Sequence, residues 1–163
     1  MDTVEITVSP RIVAGRYEMI RQLGSGGMGT VYLVRHVNTD ERLAMKVLRK
    51  DVSDQLEAVE RFKREMKASA ILRSDNVTRI TDADTAPELD GAMYLVMELL
   101  DGADVEKLLT EKRPLDSESV IFILGQAARA LDKAHALGII HRENYIISIV
   151  CFHIGHLGSF IET

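Results

Sequence analysis

The chain has 163 residues, of which 46% are hydrophobic and 28% charged, and its formal net charge is -5. This composition is typical of one soluble globular domain, or of part of a larger one. The acidic balance and the lack of a Lys/Arg cluster argue against nucleic acid or an anionic membrane surface as the main partner. We also expect no membrane span, because the longest apolar run, at about 145–152, is shorter than the roughly 18 residues that a transmembrane helix needs. The first residues lack a signal-peptide pattern, so the expected location is cytoplasmic.

Three short runs of β-branched and aromatic residues follow a leader that spans residues 1–15. They predict strands at Tyr17–Leu23, Thr30–His36 and Arg42–Leu48, separated by a glycine cluster and by an Asn-Thr-Asp turn. Order is expected to begin near Arg16. The three strands are predicted to form an antiparallel meander.

The pattern then changes to helical spacing. Apolar residues recur at threes and fours between Asp54 and Leu72, which predicts one amphipathic helix. Two further strands are predicted at Val77–Ile80 and Met93–Leu99, joined by an acidic loop. The predicted fold class is therefore α+β, with a five-stranded antiparallel sheet and one helix packed on it.

The remaining regular structure is predicted to be helical. A short helix is expected near Asp104–Glu111 and a long one over Ser117–Leu137, ended by Gly138. The apolar stripe of the long helix is predicted to comprise Val120, Leu124, Ala127, Leu131 and Ala134. The composition changes after Arg142, so residues 143–163 are interpreted as a divergent tail, for which a frameshift or out-of-register fusion is one hypothesis.

A glycine-rich segment lies between the first two predicted strands, with glycines at 24, 26, 27 and 29. Glycines there would let the backbone approach a polyphosphate closely, because no Cβ stands in the way. A glycine-rich hairpin turn without a ligand is the alternative, and this motif alone leaves both open. A Rossmann fingerprint is excluded, since a strand and not a helix follows the last glycine.

Two charged residues add to this motif. Lys46 is flanked by apolar residues in the third strand, where a cation must reach solvent or meet an anion. Glu65 lies on the helix stripe that faces the sheet, although the acid-rich helix makes a surface role an open alternative.

In this order, the glycine loop, the strand lysine and the inward glutamate match the parts that hold ATP in protein kinases. The chain resembles bacterial Hanks-type serine/threonine kinases from Gly15 to Arg142. The resemblance implies a kinase N-lobe with hinge at 16–100 and a partial C-lobe at 101–142. It also implies ATP and magnesium as cofactors and a protein substrate in the parent family.

The resemblance assigns roles residue by residue. Gly24, Gly26 and Gly29 would lie over the phosphates, while Lys46 would reach the α- and β-phosphates and pair with Glu65. The residues that would contact the adenine are Leu23, Val31 and Ala44, with Met97 as gatekeeper, the Glu98 carbonyl and the Leu100 N–H.

The resemblance fails at the catalytic loop, where the family has His-Arg-Asp-Leu-Lys-Pro and then an Asn. Glu143 stands in place of the catalytic aspartate and Ser148 in place of the metal-binding Asn, and no Asp-Phe-Gly follows. We interpret the chain as truncated at the catalytic loop, with no protein residue assigned to metal, and expect it not to phosphorylate substrates.

Alternative interpretations are a non-catalytic nucleotide-binding pseudokinase or scaffold module, and a nonfunctional fragment. Self-association is predicted through apolar residues of the long helix that other C-lobe helices would cover in a whole kinase. A zinc site at Cys151, His153 and His156 is disfavoured, because no fourth ligand is present.

Overall fold

The computed structural model of the chain describes residues 11–27, 29–53, 56–72, 74–101, 110 and 115–138. Two compact units make up the chain: Met1–Lys67 with Arg79–Leu99, and Ala68–Thr78 with Leu100–Thr163. The first unit is built on an antiparallel sheet, and the described part of the second is dominated by one long helix.

Six antiparallel strands form the sheet in the order β1-β2-β3-β4-β6-β5. Their bounds are Ile12–Val13 (β1), Tyr17–Ser25 (β2), Gly29–His36 (β3), Arg42–Leu48 (β4), Ile80–Ala86 (β5) and Ala92–Glu98 (β6). The predicted α+β kinase-like lobe is confirmed, with one short strand more than expected.

Strand β1 lies in the segment that was predicted to be an unstructured leader, so that prediction is wrong for residues 12–13. Val13 is fully buried in the core of the first unit. The Met19 N–H donates to the Arg11 carbonyl at 2.8 Å and ties the segment to β2. Two apolar residues give no periodic signal, and their burial depends on core partners far along the chain, such as Tyr94.

Strand β5, Ile80–Ala86, occupies the first half of the predicted acidic loop, so the strand predicted at 77–80 was misplaced. Asp82 accepts a hydrogen bond from the Tyr17 hydroxyl at 2.8 Å and forms an ion pair with Arg16 at 3.0 Å. These long-range partners make an acidic residue acceptable in a strand, although its local sequence is typical of a loop. A single 3₁₀ turn, Pro87–Leu89, then leads to Asp90, which has a left-handed φ of 55°.

The predicted helix after β4 is present as helix α2, Leu56–Ile71, and a short helix α1, Lys50–Ser53, which was not predicted, precedes it. Phe62 of α2 is 3% exposed and belongs to one apolar cluster with Leu48 of β4 and Leu95 of β6. Helix α2 therefore packs on the sheet face to which these two strand residues belong.

The long helix α3, Ser117–Ala136, agrees with the predicted bounds to within one residue. Its N-cap is Asp116, whose carboxylate accepts from the Ser119 N–H at 2.8 Å, and this bond lowers the pKa of Asp116. The predicted stripe is correct only in part, because Val120 and Leu124 are exposed. The buried apolar residues of α3 are Ile123, Ala127, Ala130 and Ala134.

The buried side of α3 packs within the second unit against Leu72 and Val77. A hydrogen bond of 2.9 Å from the Asn76 amide to the Gln126 side-chain oxygen adds a polar contact. Exposed apolar side chains on α3, such as Ile121 at 71%, agree with the expected uncovered surface, while self-association itself stays a prediction. Within the described residues, no helix is both long and apolar enough to cross a membrane.

Candidate functional site

Strand register brings four candidate residues to one face of the sheet: Val31 of β3, Ala44 and Lys46 of β4, and Met97 of β6. Lys46 lies opposite Val31 on one side and Leu95 on the other, and Ala44 lies opposite Met97. Directly opposed residues of an antiparallel sheet share a face, and so do alternate residues of one strand. Since Leu95 packs with Phe62, this is the face that α2 partly covers.

The opposite face of the same strands is closed by an apolar cluster that includes Met45, Val34 and Val96, all with no exposed area. Tyr17 also belongs to this cluster, and burial together with the bond to Asp82 raises its pKa. The half-buried Lys46 is therefore on the face that is not sealed by this cluster.

Leu23 is brought toward this face by an irregularity of β2. Gln22 pairs with Tyr32 and Gly24 pairs with Val31, so Leu23 is an extra residue in the ladder. A β-bulge sets two residues against one, which puts both Leu23 and Gly24 opposite Val31. Leu23 is 39% exposed, so its side chain is not enclosed in the core.

The tip of the glycine loop is a closed hairpin. The Gly26 N–H donates to the Gly29 carbonyl at 2.9 Å, and the Gly29 N–H donates back to Gly26 at 3.3 Å. These two amides are used within the turn. Any N–H groups with which this loop bonds a polyphosphate must therefore be amides other than those of Gly26 and Gly29.

The glycines of the loop differ in what requires them. A Cβ on Gly29 would lie 2.2 Å from the Val47 carbonyl oxygen, so the close approach of β3 to β4 demands a glycine there. A Cβ on Gly24, Gly26 or Gly27 would meet nothing within 4 Å, and none of the three has a φ in the left-handed region. The fold by itself thus gives no reason for these three glycines, whereas a ligand held against the backbone would.

The end of β6 contains two further candidates, Met97 and Glu98. Met97 is half-buried and packs with the cluster of Leu48, Phe62 and Leu95. The Glu98 N–H donates to the Arg79 carbonyl at 3.0 Å, and the Glu98 side-chain oxygen Oε1 accepts from the Arg79 N–H at 2.7 Å.

Some of the predicted site residues lie wholly or partly outside the described residues. The backbone of Glu65 belongs to α2, but its side chain lies outside the described residues, as does all of Glu143. The short helix predicted at 104–111 also falls mostly outside them. Leu100 is described and half-buried, and it begins the second unit.

Sequence reasoning missed Arg79 and Gly27 as parts of this region. Arg79 precedes β5, and its contact with Glu98 spans 19 residues and has no local sequence signal. Gly27 was visible within the glycine cluster, and its open surroundings put it with Gly24 and Gly26 rather than with Gly29. Within the described residues, no group of three or more His, Cys, Asp or Glu side chains could hold a metal ion.

Comparisons with known proteins agree with this geometry. Residues 17–144 match the protein kinase domain family. The chain is 40% identical to the serine/threonine-protein kinase Pkn1 of Myxococcus xanthus over 79% of its own length and 18% of that protein. It is 32% identical to the serine/threonine-protein kinase PrkC of Bacillus subtilis over 89% of its own length and 22% of that protein.

Solved structures give the same result. The crystal structure of the Mycobacterium tuberculosis PknI kinase domain superposes with a TM-score of 0.74 at 32% identity, over 88% of this chain and 56% of that one. The fold is that of a protein kinase lobe. The chain belongs to the protein kinase domain family, and its similar proteins are bacterial serine/threonine kinases. It spans about a fifth of the length of the two curated relatives above.

Proposed function

We propose that this chain is the ATP-binding portion of a serine/threonine protein kinase. The observation that supports this best is the pairing of an open glycine hairpin with a half-buried lysine. Gly24, Gly26 and Gly27 leave room for a ligand at the backbone, and Gly24 lies opposite Val31, which in turn lies opposite Lys46. The turn joins β2 to β3, and the Lys46 ammonium group lies on β4, the next strand. A positive charge beside an open backbone turn is the arrangement that binds a polyphosphate.

A second part of the proposal is that Glu65 forms an ion pair with Lys46 and fixes it for the α- and β-phosphates. Its support comes from Phe62, one helical turn before Glu65. Phe62 packs with Leu48, two residues beyond Lys46 on the same strand face, and with Leu95, directly opposite Lys46. Helix residues three apart share a face, and this spacing between Phe62 and Glu65 is what supports the proposed pair.

The adenine base is proposed to bind among apolar residues of this face. Ala44 is 6% exposed and offers little bulk, whereas Val31 and Met97 are half-buried and Leu23 is partly exposed. A mostly apolar surface with a few polar groups at its edge is typical of purine sites. The Glu98 carbonyl is the proposed hydrogen-bonding group for the edge of the base, while the role of the Leu100 N–H stays a sequence prediction.

In the intact parent, the reaction would be transfer of the ATP γ-phosphoryl to a protein Ser or Thr hydroxyl. For the chain itself we propose binding without transfer. Glu143 moves the carboxylate by one methylene relative to an aspartate, and a misplacement of about 1 Å can cost roughly a hundredfold in rate. Ser148 replaces a metal-binding Asn. Magnesium would therefore be bound through the phosphates of the nucleotide.

The test is titration of the chain with MgATP, paired with a phosphotransfer assay using radiolabelled ATP. Lys46→Met should weaken binding by about tenfold or more, the effect of losing a charge-assisted hydrogen bond. Lys50→Met removes an exposed lysine at the start of α1 and is the matched control, with affinity unchanged.

Three outcomes separate the interpretations. Failure of the wild-type chain to bind MgATP contradicts the proposal and leaves a nonfunctional fragment. Binding without transfer agrees with it, and also describes a pseudokinase or scaffold module. Transfer that disappears with Lys46→Met would show that Glu143 suffices, which refutes the proposed catalytic incompleteness but not ATP binding.

A further inference from the structure

Helix α3 carries a second apolar side, apart from the one that packs on Leu72 and Val77. Its most exposed large apolar residues are Ile121 and Leu124, at 71% and 61%. These two residues lie across the helix from its buried apolar residues, which are Ile123, Ala127, Ala130 and Ala134. An exposed apolar side of this kind marks an interaction surface.

The exposed side follows a regular spacing along the helix. Ile121, Leu124, Ala128 and Leu131 are separated by three, four and three positions. Residues with this spacing form one line on a helix, along which a second helix can pack. The first three are exposed and Leu131 is half-buried. These four residues are called the seam below.

The seam is complementary to itself when two copies of α3 run in opposite directions. In an antiparallel pair centred on residue 126, Ile121 faces Leu131 of the second copy, and Leu124 faces Ala128 of the second copy. The large Leu124 then packs on a small residue, so the layers are filled evenly. A parallel pair would set Ala128 on Ala128 and leave that layer underfilled.

The charges at the two ends of α3 favour the same orientation. Its first turn has Glu118 after the N-cap Asp116, whereas its last turn has Lys133 and His135. Asp132, just before the last turn, offsets one of these basic groups. Antiparallel pairing brings the acidic end of one helix to the basic end of the other, and it also opposes the two helix dipoles.

We propose that two copies of this chain associate through the seam as an antiparallel helix pair. The proposal gives the predicted self-association a surface, an orientation and a register, and it does not depend on the nucleotide site. Both copies use the same residues, so the contact closes after two copies and does not grow into a filament.

The first test is sedimentation velocity of the full chain over a range of concentrations. Wild type should shift from monomer to dimer as the concentration rises. Leu124→Glu places a charge in the seam and should weaken the dimer by about tenfold or more. Ile71→Glu is the matched control, because Ile71 is 60% exposed in the same unit but lies outside α3, and its dimer should be unchanged.

The second test determines the orientation by disulfide cross-linking in a Cys151→Ser background. Proteins with Ile121→Cys and with Leu131→Cys are treated with a disulfide-forming oxidant, each alone and as a mixture. Antiparallel pairing brings these two positions opposite each other, so only the mixture should cross-link. Each position lies about 15 Å along the axis from itself in the second copy, which is too far for a disulfide.

Three results would overturn the proposal. A wild-type chain that stays monomeric refutes it, and this is the result expected if residues 139–163 cover the seam instead. Association that Leu124→Glu leaves unchanged also refutes it, because another surface is then responsible. Cross-linking of either single variant alone, without cross-linking between them in the mixture, would show a parallel pair. Circular dichroism of Leu124→Glu should match wild type, since Leu124 is exposed.

Discussion

The two faces of the sheet differ in how completely their side chains are buried. One face is sealed by residues with no exposed area, such as Met45 and Tyr94, and its acidic residue Asp82 is paired with Tyr17 and Arg16. The other face holds a half-buried lysine, a partly exposed leucine and a glycine hairpin with open space around it.

This contrast separates what stabilises the fold from what remains available to a ligand. Alternate residues of β4 point to the two faces, so Met45 and Lys46 are neighbours in sequence with opposite surroundings. Changes on the sealed face should lower the free energy of unfolding. Changes on the open face should lower nucleotide affinity while the fold persists.

The largest expected effect is from Met45→Ala. Removing a fully buried methionine side chain typically costs about 2–5 kcal/mol of unfolding free energy, because it leaves a cavity. The paired variant is Leu23→Ala, at a site 39% exposed, where we expect less than about 1 kcal/mol and a loss of ATP affinity. Urea denaturation and ATP titration of both proteins measure this. Equal destabilisation by the two changes would mean that the faces do not differ in closure.

The next prediction is that alanine substitutions at two glycines of the loop have different effects, one on stability and the other on nucleotide affinity. Gly29→Ala forces a Cβ toward the Val47 carbonyl and should cost about 1–3 kcal/mol of stability with no nucleotide present. Gly24→Ala meets no neighbour, so its thermal midpoint should stay near wild type while MgATP affinity falls. A stable Gly29→Ala protein, or a Gly24→Ala protein with full affinity, would remove the distinction.

The smallest expected effect concerns the polar pair on the sealed face. Tyr17→Phe loses the hydroxyl bond to Asp82, which keeps its ion pair with Arg16, and should cost about 0.5–1.5 kcal/mol, the usual net contribution of one intramolecular hydrogen bond. Burial raises the pKa of Tyr17 from its ordinary value of 10.0, so folding favours the protonated phenol. Unfolding then releases a proton at alkaline pH, and wild-type stability should fall as the pH rises above 10.0.

The alkaline loss should be shallower in Tyr17→Phe, which has no phenol to ionise at this position. Unfolding free energies measured in urea between neutral pH and pH 11 provide the comparison. The same pH slope in both proteins would show that Tyr17 does not contribute to it.

Much of the fold could be predicted from sequence where the signal is local. Strands β2 to β4 alternate in the expected way, and α3 begins after a capping Asp116 and ends before Gly138. The glycine cluster and Lys46 were found because their residue types are unusual in strands. The predicted meander also placed them near each other, because the glycine cluster joins β2 to β3 and Lys46 lies on β4, which pairs with β3.

The rest depended on contacts between distant parts of the chain. Strand β5 is acidic, and Asp82 within it is stabilised by a bond to Tyr17, 65 positions earlier in the chain. A sequence pattern that covers only neighbouring residues cannot reveal such a contact. The buried side of α3 was misjudged because periodicity gives two apolar stripes, and only packing against Leu72 and Val77 selects between them. The role of Gly29 depends on the Val47 carbonyl of the next strand.

Strand β5 also bears on association with other chains. Among the residues that the structure describes it is the terminal strand of the sheet, and such an edge can template the addition of a foreign strand. The exposed Asp84 and the register shift between Ile80 and Asp82 make this edge charged and irregular. The acidic sequence that resembled a loop is thus a barrier to amyloid-like growth, and a more hydrophobic β5 would bring that hazard with it.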